Sequence, residues 1–178
     1  MKLRHLFFAC SGVFVMIFSL LLLVVIVFSD EEDGGSGGNL IYGGVSVSQE
    51  VLAHKPMLEK YAREYGIEEY LNVLLAIIQV ESGGTLEDVM QSSESLGLPP
   101  NSLSTEESIK QGCKYFSELL AAAETKGCDL NSVIQSYNYG GGFLDYVTGR
   151  GKKYTFELAE SFARDKSGGK KVTYTNPI

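Results

Sequence analysis

Residues 71–84, LNVLLAIIQVESGG, limit what this chain can fold into more than any other stretch. Apart from Asn72 and Gln79, every residue from Leu71 to Val80 is apolar. A helix with no polar face has to be wrapped by other elements, which places it at the centre of a domain. At its end stands one carboxylate, Glu81, followed by Ser82 and the helix-stopping pair Gly83-Gly84. Burial removes water from a carboxylate, disfavours its charged form and raises its pKa. General-acid chemistry near neutral pH requires a carboxyl group of that kind. The plainer reading is a surface acid in a last helical turn ahead of a glycine cap.

Other helices can be read around this one. Ser46 or Ser48 opens a first helix that ends near Tyr65, and Pro56 inside it marks a kink or a break into two pieces. The apolar helix itself spans 68–81. Residues 83–103 follow no period and hold glycine, serine and two prolines, as functional or mobile segments do. Ser104 and Glu107 form a capping box for a third helix, with Ile109, Cys113, Phe116, Leu119, Leu120 and Ala123 as its buried stripe and Gly127 as its stop. Asp129 caps a short fourth helix that runs into Tyr139 and three glycines. A short helix follows at 143–147. A last one spans 155–166, with Phe156, Leu158, Ala159 and Phe162 predicted to face inward. No segment has strand periodicity and none repeats. The fold class is all-α, a domain of about 120 residues with a core of ordinary size.

Ahead of this domain, residues 6–28 carry no charge, long enough for a membrane-spanning helix. Lys2 and Arg4 precede the run and four acids at 30–33 follow it, which places residues 1–5 in the cytoplasm and the remainder outside the cell membrane. A cleaved signal peptide is the competing reading, but the run is too long and no small-x-small site follows it. A lipoprotein signal at Cys10 does not fit, since most of the apolar stretch comes after that cysteine. Residues 29–45, acidic and then rich in Gly and Ser, read as a flexible tether, and 167–178 as a polar tail or the start of a linker.

Without Lys2 and Arg4, 13 of the 15 basic residues remain against 22 acidic ones, a net charge of −9. Nucleic-acid binding needs basic surface and is not expected. With only His5 and His54, metal-ligand spacing is absent, so neither a metal nor a cofactor is expected. His54 reads as a helix-surface residue. Cys113 and Cys128 lie where a disulfide is permitted, although bridging them requires the chain to fold back.

Three polar or glycine-rich pieces follow or separate the apolar helices: Glu81-Ser82-Gly83-Gly84; Asp88-Val89-Met90-Gln91-Ser92-Ser93-Glu94; and Ser136-Tyr137-Asn138-Tyr139-Gly140. Taken in this order they resemble the glutamate, the Leu-Met-Gln loop and the Tyr-Asn-x-Gly turn of the lysozyme-like superfamily, which includes goose-type lysozymes and lytic transglycosylases. The phrases 79–84 and 88–95 resemble still more the lysozyme-like domain of CwlT-type cell-wall hydrolases, across 48–162. The resemblance implies a lysozyme-like helical domain over 46–166. Its substrate would be peptidoglycan, cut between N-acetylmuramic acid and N-acetylglucosamine. Glu81 would then protonate the glycosidic oxygen. Ser82, Gln91, Ser92, Ser93, Tyr137 and Asn138 would contact substrate; Met90 would pack. Tyr139 stands where many relatives have alanine. The family also implies a conjugation or secretion apparatus as a partner.

Inversion needs a second carboxylate as base, and retention needs one as nucleophile. Glu87, Asp88 and Glu94 lie in the loop, and Glu94 is the first choice because it sits beyond the glutamine within the family-like phrase. A lytic transglycosylase with the same Glu81 needs no second carboxylate, and a wall-binding module needs neither; both stay open. Relatives of this kind usually continue into an NlpC-type cysteine peptidase domain. No histidine follows Cys113 or Cys128, so peptidase chemistry is not expected within these residues.

Overall fold

A computed structural model of the chain describes residues 40–42 and 45–167. The predicted membrane segment 6–28, the tail before it, most of the tether and residues 168–178 lie outside the described residues. Among the described residues no helix is long and apolar enough to cross a membrane.

Two short antiparallel strands open the described part, β1 (Leu40–Tyr42) and β2 (Val45–Val47), with Leu40 opposite Val47 and Tyr42 opposite Val45. They correct the expectation that no strand forms, and they overlap the end of the segment 29–45 read as a tether. Val47 is fully buried.

The first predicted helix is broken in two, α1 (Gln49–Ala53) and α2 (Lys55–Glu64), with Ser48 capping α1 through the Val51 N–H. Pro56 explains the break. It has no N–H for the ladder, and its ring would clash with the preceding turn, so a new helix starts around it. His54 sits at the junction, half-buried rather than on an open helix surface.

A 3₁₀ turn, Glu68–Tyr70, leads into α3 (Leu71–Glu81). Val73, Leu74, Leu75, Ala76, Ile77 and Ile78 are all buried, as an apolar helix without a polar face requires. Each large side chain among them contributes roughly 1.5–3 kcal/mol of apolar burial. The elements β2, α1 and α2 pack on α3. The long helix α4 (Thr105–Lys126) spans 22 residues, about 33 Å, and packs on α2. Its ends form as expected: the Ser104–Glu107 capping box is present, and Gly127 at φ +70° closes it. Ile109, Cys113, Phe116, Leu119 and Ala123 are buried, whereas Leu120 is half-buried.

Next come α5 (Leu130–Tyr139), capped by Asp129, α6 (Gly142–Thr148) and α7 (Phe156–Lys166). The Asp129 carboxylate accepts from Ser132 N–H at 3.0 Å and also from Tyr154 N–H at 3.1 Å, so one side chain ties the start of α5 to the segment before α7. A second small core forms from Phe143, Val147, Ala159 and Phe162, with Tyr139 stacked on Phe162 at 5.6 Å. Phe156, expected inside, is 49% exposed: it is the first residue of α7, before the helix meets this core. Cys113 and Cys128 are free thiols; Cys113 is deep in the main core, and Cys128 contacts Thr148 at 3.3 Å instead.

Candidate active site

Where α3 stops, three elements meet. Gly83 and Gly84 take φ +60° and +77°, so the chain reverses directly after Glu81. The turn is held from behind by the N-terminal pieces. Ser48 N–H donates to Gln79 Oε1 at 2.7 Å, Ser48 Oγ to the Gly83 carbonyl at 3.3 Å, and His54 Nε2 to the Gly84 carbonyl at 2.9 Å. At Gly84 a Cβ would lie 2.7 Å from the Glu50 and Val51 backbone, so only glycine permits this approach.

Ser82 does not line the pocket that forms here. Its hydroxyl donates to the Val89 carbonyl at 2.7 Å and accepts from Gly84 N–H at 3.0 Å, fastening the following loop to the end of α3. That loop is folded around the fully buried Asp88. Asp88 Oδ1 accepts from Ser92 N–H at 2.9 Å and Ser108 Oγ at 2.6 Å, and Oδ2 from Ser93 N–H at 3.2 Å. A buried carboxylate is tolerated when donors surround it in this way. Ser108 in turn accepts from Met90 N–H at 3.0 Å, which anchors the loop to α4. Gln91 adopts φ +46° and donates from Nε2 to the Asp88 carbonyl and to Asn101 Oδ1, both at 2.7 Å. Its Oε1 is buried without a partner. Ser93 is also buried behind the loop.

Met90 passes under the pocket, packed against the bare backbone of α4. A Cβ at Gly112 would lie 2.5 Å from Met90 Sδ and 2.9 Å from the Tyr137 hydroxyl. Tyr137, on α5, donates that hydroxyl to the Met90 carbonyl at 3.0 Å, and burial pushes its pKa well above the ordinary tyrosine value. Tyr115 on α4 lies beside it, ring centroids 5.5 Å apart, and takes a backbone hydrogen bond from Gly141.

These elements enclose a pocket of about 140 Å³. Its walls are Glu81 from α3; Gln91, Ser92, Glu94 and Ser95 from the loop; Tyr115 from α4; and Tyr137, Asn138 and Gly140 from α5 and its end. Glu94 belongs to a 3₁₀ turn, Ser92–Leu96, and its side chain is exposed. The carboxyl of Glu81 is pushed up to about 8, first by burial, then by the negative charges of Glu94 and Asp88. It is therefore protonated at neutral pH and faces a pocket that holds a second carboxylate.

Of the residues predicted for the site, Glu81, Gln91, Ser92, Glu94, Tyr137 and Asn138 line this pocket, while Ser82 and Ser93 do not. Of the three loop acids, Glu94 lines it, Asp88 is consumed in holding the loop, and Glu87 is exposed away from it. Tyr115, Ser95 and Gly140 were not predicted. Tyr115 could have been found from Ser108 and Gly112, seven and three residues earlier on the same face of α4. Among the described residues no group of three His, Cys, Asp or Glu side chains could hold a metal ion.

A family model described as lysozyme-like matches residues 48–178. The bifunctional muramidase/DL-endopeptidase CwlT of Bacillus subtilis (strain 168) is 44% identical over 124 residues, 69% of this chain and 37% of that protein. The uncharacterized membrane protein YocA of the same strain is 37% identical over 121 residues, 67% of this chain and 54% of that protein. Among solved structures, one titled as similar to a lipoprotein of the NLP/P60 family, from Staphylococcus aureus subsp. aureus Mu50, aligns with a TM-score of 0.72. It is 74% identical and covers 74% of this chain and 45% of that one. The chain thus spans between about a third and a half of the length of these proteins.

Proposed function

The chain belongs to the lysozyme-like family, and from that premise we propose that it is a peptidoglycan hydrolase, an N-acetylmuramidase with Glu81 as its general acid. The observation that carries this reading is Glu81 itself: a carboxyl at the end of a buried helix, pushed up to about 8, in a pocket with one further carboxylate. The bond cut is that between N-acetylmuramic acid and N-acetylglucosamine. Glu81 gives its proton to the glycosidic oxygen as the bond from C1 to that oxygen breaks, and positive charge builds on the ring of the muramic residue. Glu94 takes a proton from a water whose oxygen bonds to C1, and the product carries a reducing muramic end. Gln91, Ser92, Tyr137 and Asn138 hold the sugars. The buried, unpartnered Oε1 of Gln91 offers an acceptor for a sugar hydroxyl or amide.

We place the domain on the outer side of the cell membrane, tethered through residues 6–28 in a single pass. The test is mass spectrometry of fragments released from purified peptidoglycan. Reducing muramic ends, absent with Glu81→Gln, are expected. Anhydro-muramic ends would replace the hydrolytic reading by intramolecular attack. Sedimentation with the wall and no fragments would leave a binding module.

A further inference from the structure

Resting on that reading, we propose that the pocket selects glycan strands whose muramic carboxyl group is capped as an amide, and disfavours strands that carry it as a free carboxylate. Two pocket walls are carboxyl groups, Glu81 and Glu94, a third carboxylate, Asp88, lies buried behind Gln91, and every other lining residue is neutral. No Lys, Arg or His lines the pocket. The ion pairs among the described residues engage Glu59, Glu64, Glu106, Glu118 and Asp145, and none of them reaches the three acids of the site. The field inside is therefore negative and uncompensated, and it registers on Glu81, which Glu94 and Asp88 push upward in addition to burial.

A cut after muramic acid places that sugar against Glu81, and its lactyl group is attached to the same ring. Joined to a peptide, the lactyl carbonyl is a neutral amide, and the nearest charge lies further along the peptide. With the peptide removed, it becomes a carboxylate within one sugar ring of Glu81. Glu81 is protonated at neutral pH, so the repulsion comes from Glu94 on the pocket wall and Asp88 behind it; like charges in a partly dry pocket repel more strongly than in water, and no cation lines the pocket to compensate. An amide-hydrolysing reaction that strips peptide from the glycan thus consumes the products of this cut and cannot efficiently supply its substrate.

The experiment offers the full-length protein three forms of one purified glycan: peptide-bearing, peptide-stripped, and stripped then amidated so that the lactyl group is neutral. Peptide-bearing and amidated strands should be cut at similar kcat/KM. Carboxylate strands should be cut about tenfold more slowly at low salt, with the gap closing as salt rises toward ~0.5 M and screens the field. Equal cutting of all three overturns the preference and leaves the activity standing. Amidated strands as slow as carboxylate strands also overturn it, since the peptide would then be recognised for itself. No product from any strand sinks the activity and the preference together.

Discussion

In the proposed reading Glu81 donates a proton and also stabilises the fold, and both contributions fade as pH rises. Its folded pKa of about 8 lies above its ordinary value of 4.5, so the folded protein holds a proton that the unfolded chain releases. The proton-donating form is present below about 8 and lost above it, so kcat/KM should fall along an alkaline limb centred near 8. Stability follows the same sign: the contribution of Glu81 is full below pH 4.5 and is lost as pH rises through 8. Glu81→Gln should abolish cutting, and its Tm should fall less than that of the unmodified protein between pH 5 and pH 9. Each pKa unit is worth about 1.4 kcal/mol, and the half-open position of Glu81 discounts the total to roughly 1–3 kcal/mol. A pH-independent difference in Tm between the two proteins would contradict the assignment. Asp88 is the opposite case, a charge fully satisfied by three donors. Asp88→Asn replaces one acceptor oxygen by an NH₂ group, so at least one of these donors faces another donor. The loss expected is about 2–4 kcal/mol by denaturant unfolding. Activity should fall with it, because Gln91 and Glu94 ride on that loop.

At the scale of elements, Gly112 is the point where α4 admits the loop. With Met90 Sδ 2.5 Å and the Tyr137 hydroxyl 2.9 Å from where a Cβ would stand, Gly112→Ala should cost about 1–3 kcal/mol and displace the pocket floor. Denaturant midpoints and cutting rates should drop together; an unchanged midpoint would show that Met90 gives way freely. The helices were legible where their signals are local. Ser48 and Asp129 cap helices because an oxygen stands beside free N–H groups, Ser104 and Glu107 close a capping box, and α3 ends at Glu81 because Gly83 and Gly84 follow Ser82. Loop residues were less legible. Ser82 and Ser93 have the same chemistry as Ser92, but which of them lines the pocket depends on where the Val89 carbonyl and the Asp88 carboxylate lie in space. Tyr115 was hidden for a related reason: a half-buried aromatic on a helix becomes a pocket wall only through how α4 meets α5. The strand pair Leu40–Tyr42 and Val45–Val47 was missed because three residues are too few to show an alternation, and glycine-rich sequence runs into them.

On the scale of the whole molecule, stability comes from one main core around α3 and a smaller aromatic one around Phe143 and Phe162, with no covalent cross-link among the described residues. Thermal unfolding should therefore be indifferent to reductant; a Tm lowered by dithiothreitol would mean that Cys113 and Cys128 pair in solution. The three hydrogen bonds from Ser48 and His54 to Gln79, Gly83 and Gly84 matter at this scale too. They join the first described elements to the turn behind the acid. A pull applied at β2 runs into Ser48, and from there into α1, which Ser48 caps, and into Gln79 and Gly83, each two residues from Glu81. The candidate active site thus shares its turn with the place where the first described elements join the domain. Under tension, cutting should fail before the bulk of the fold does.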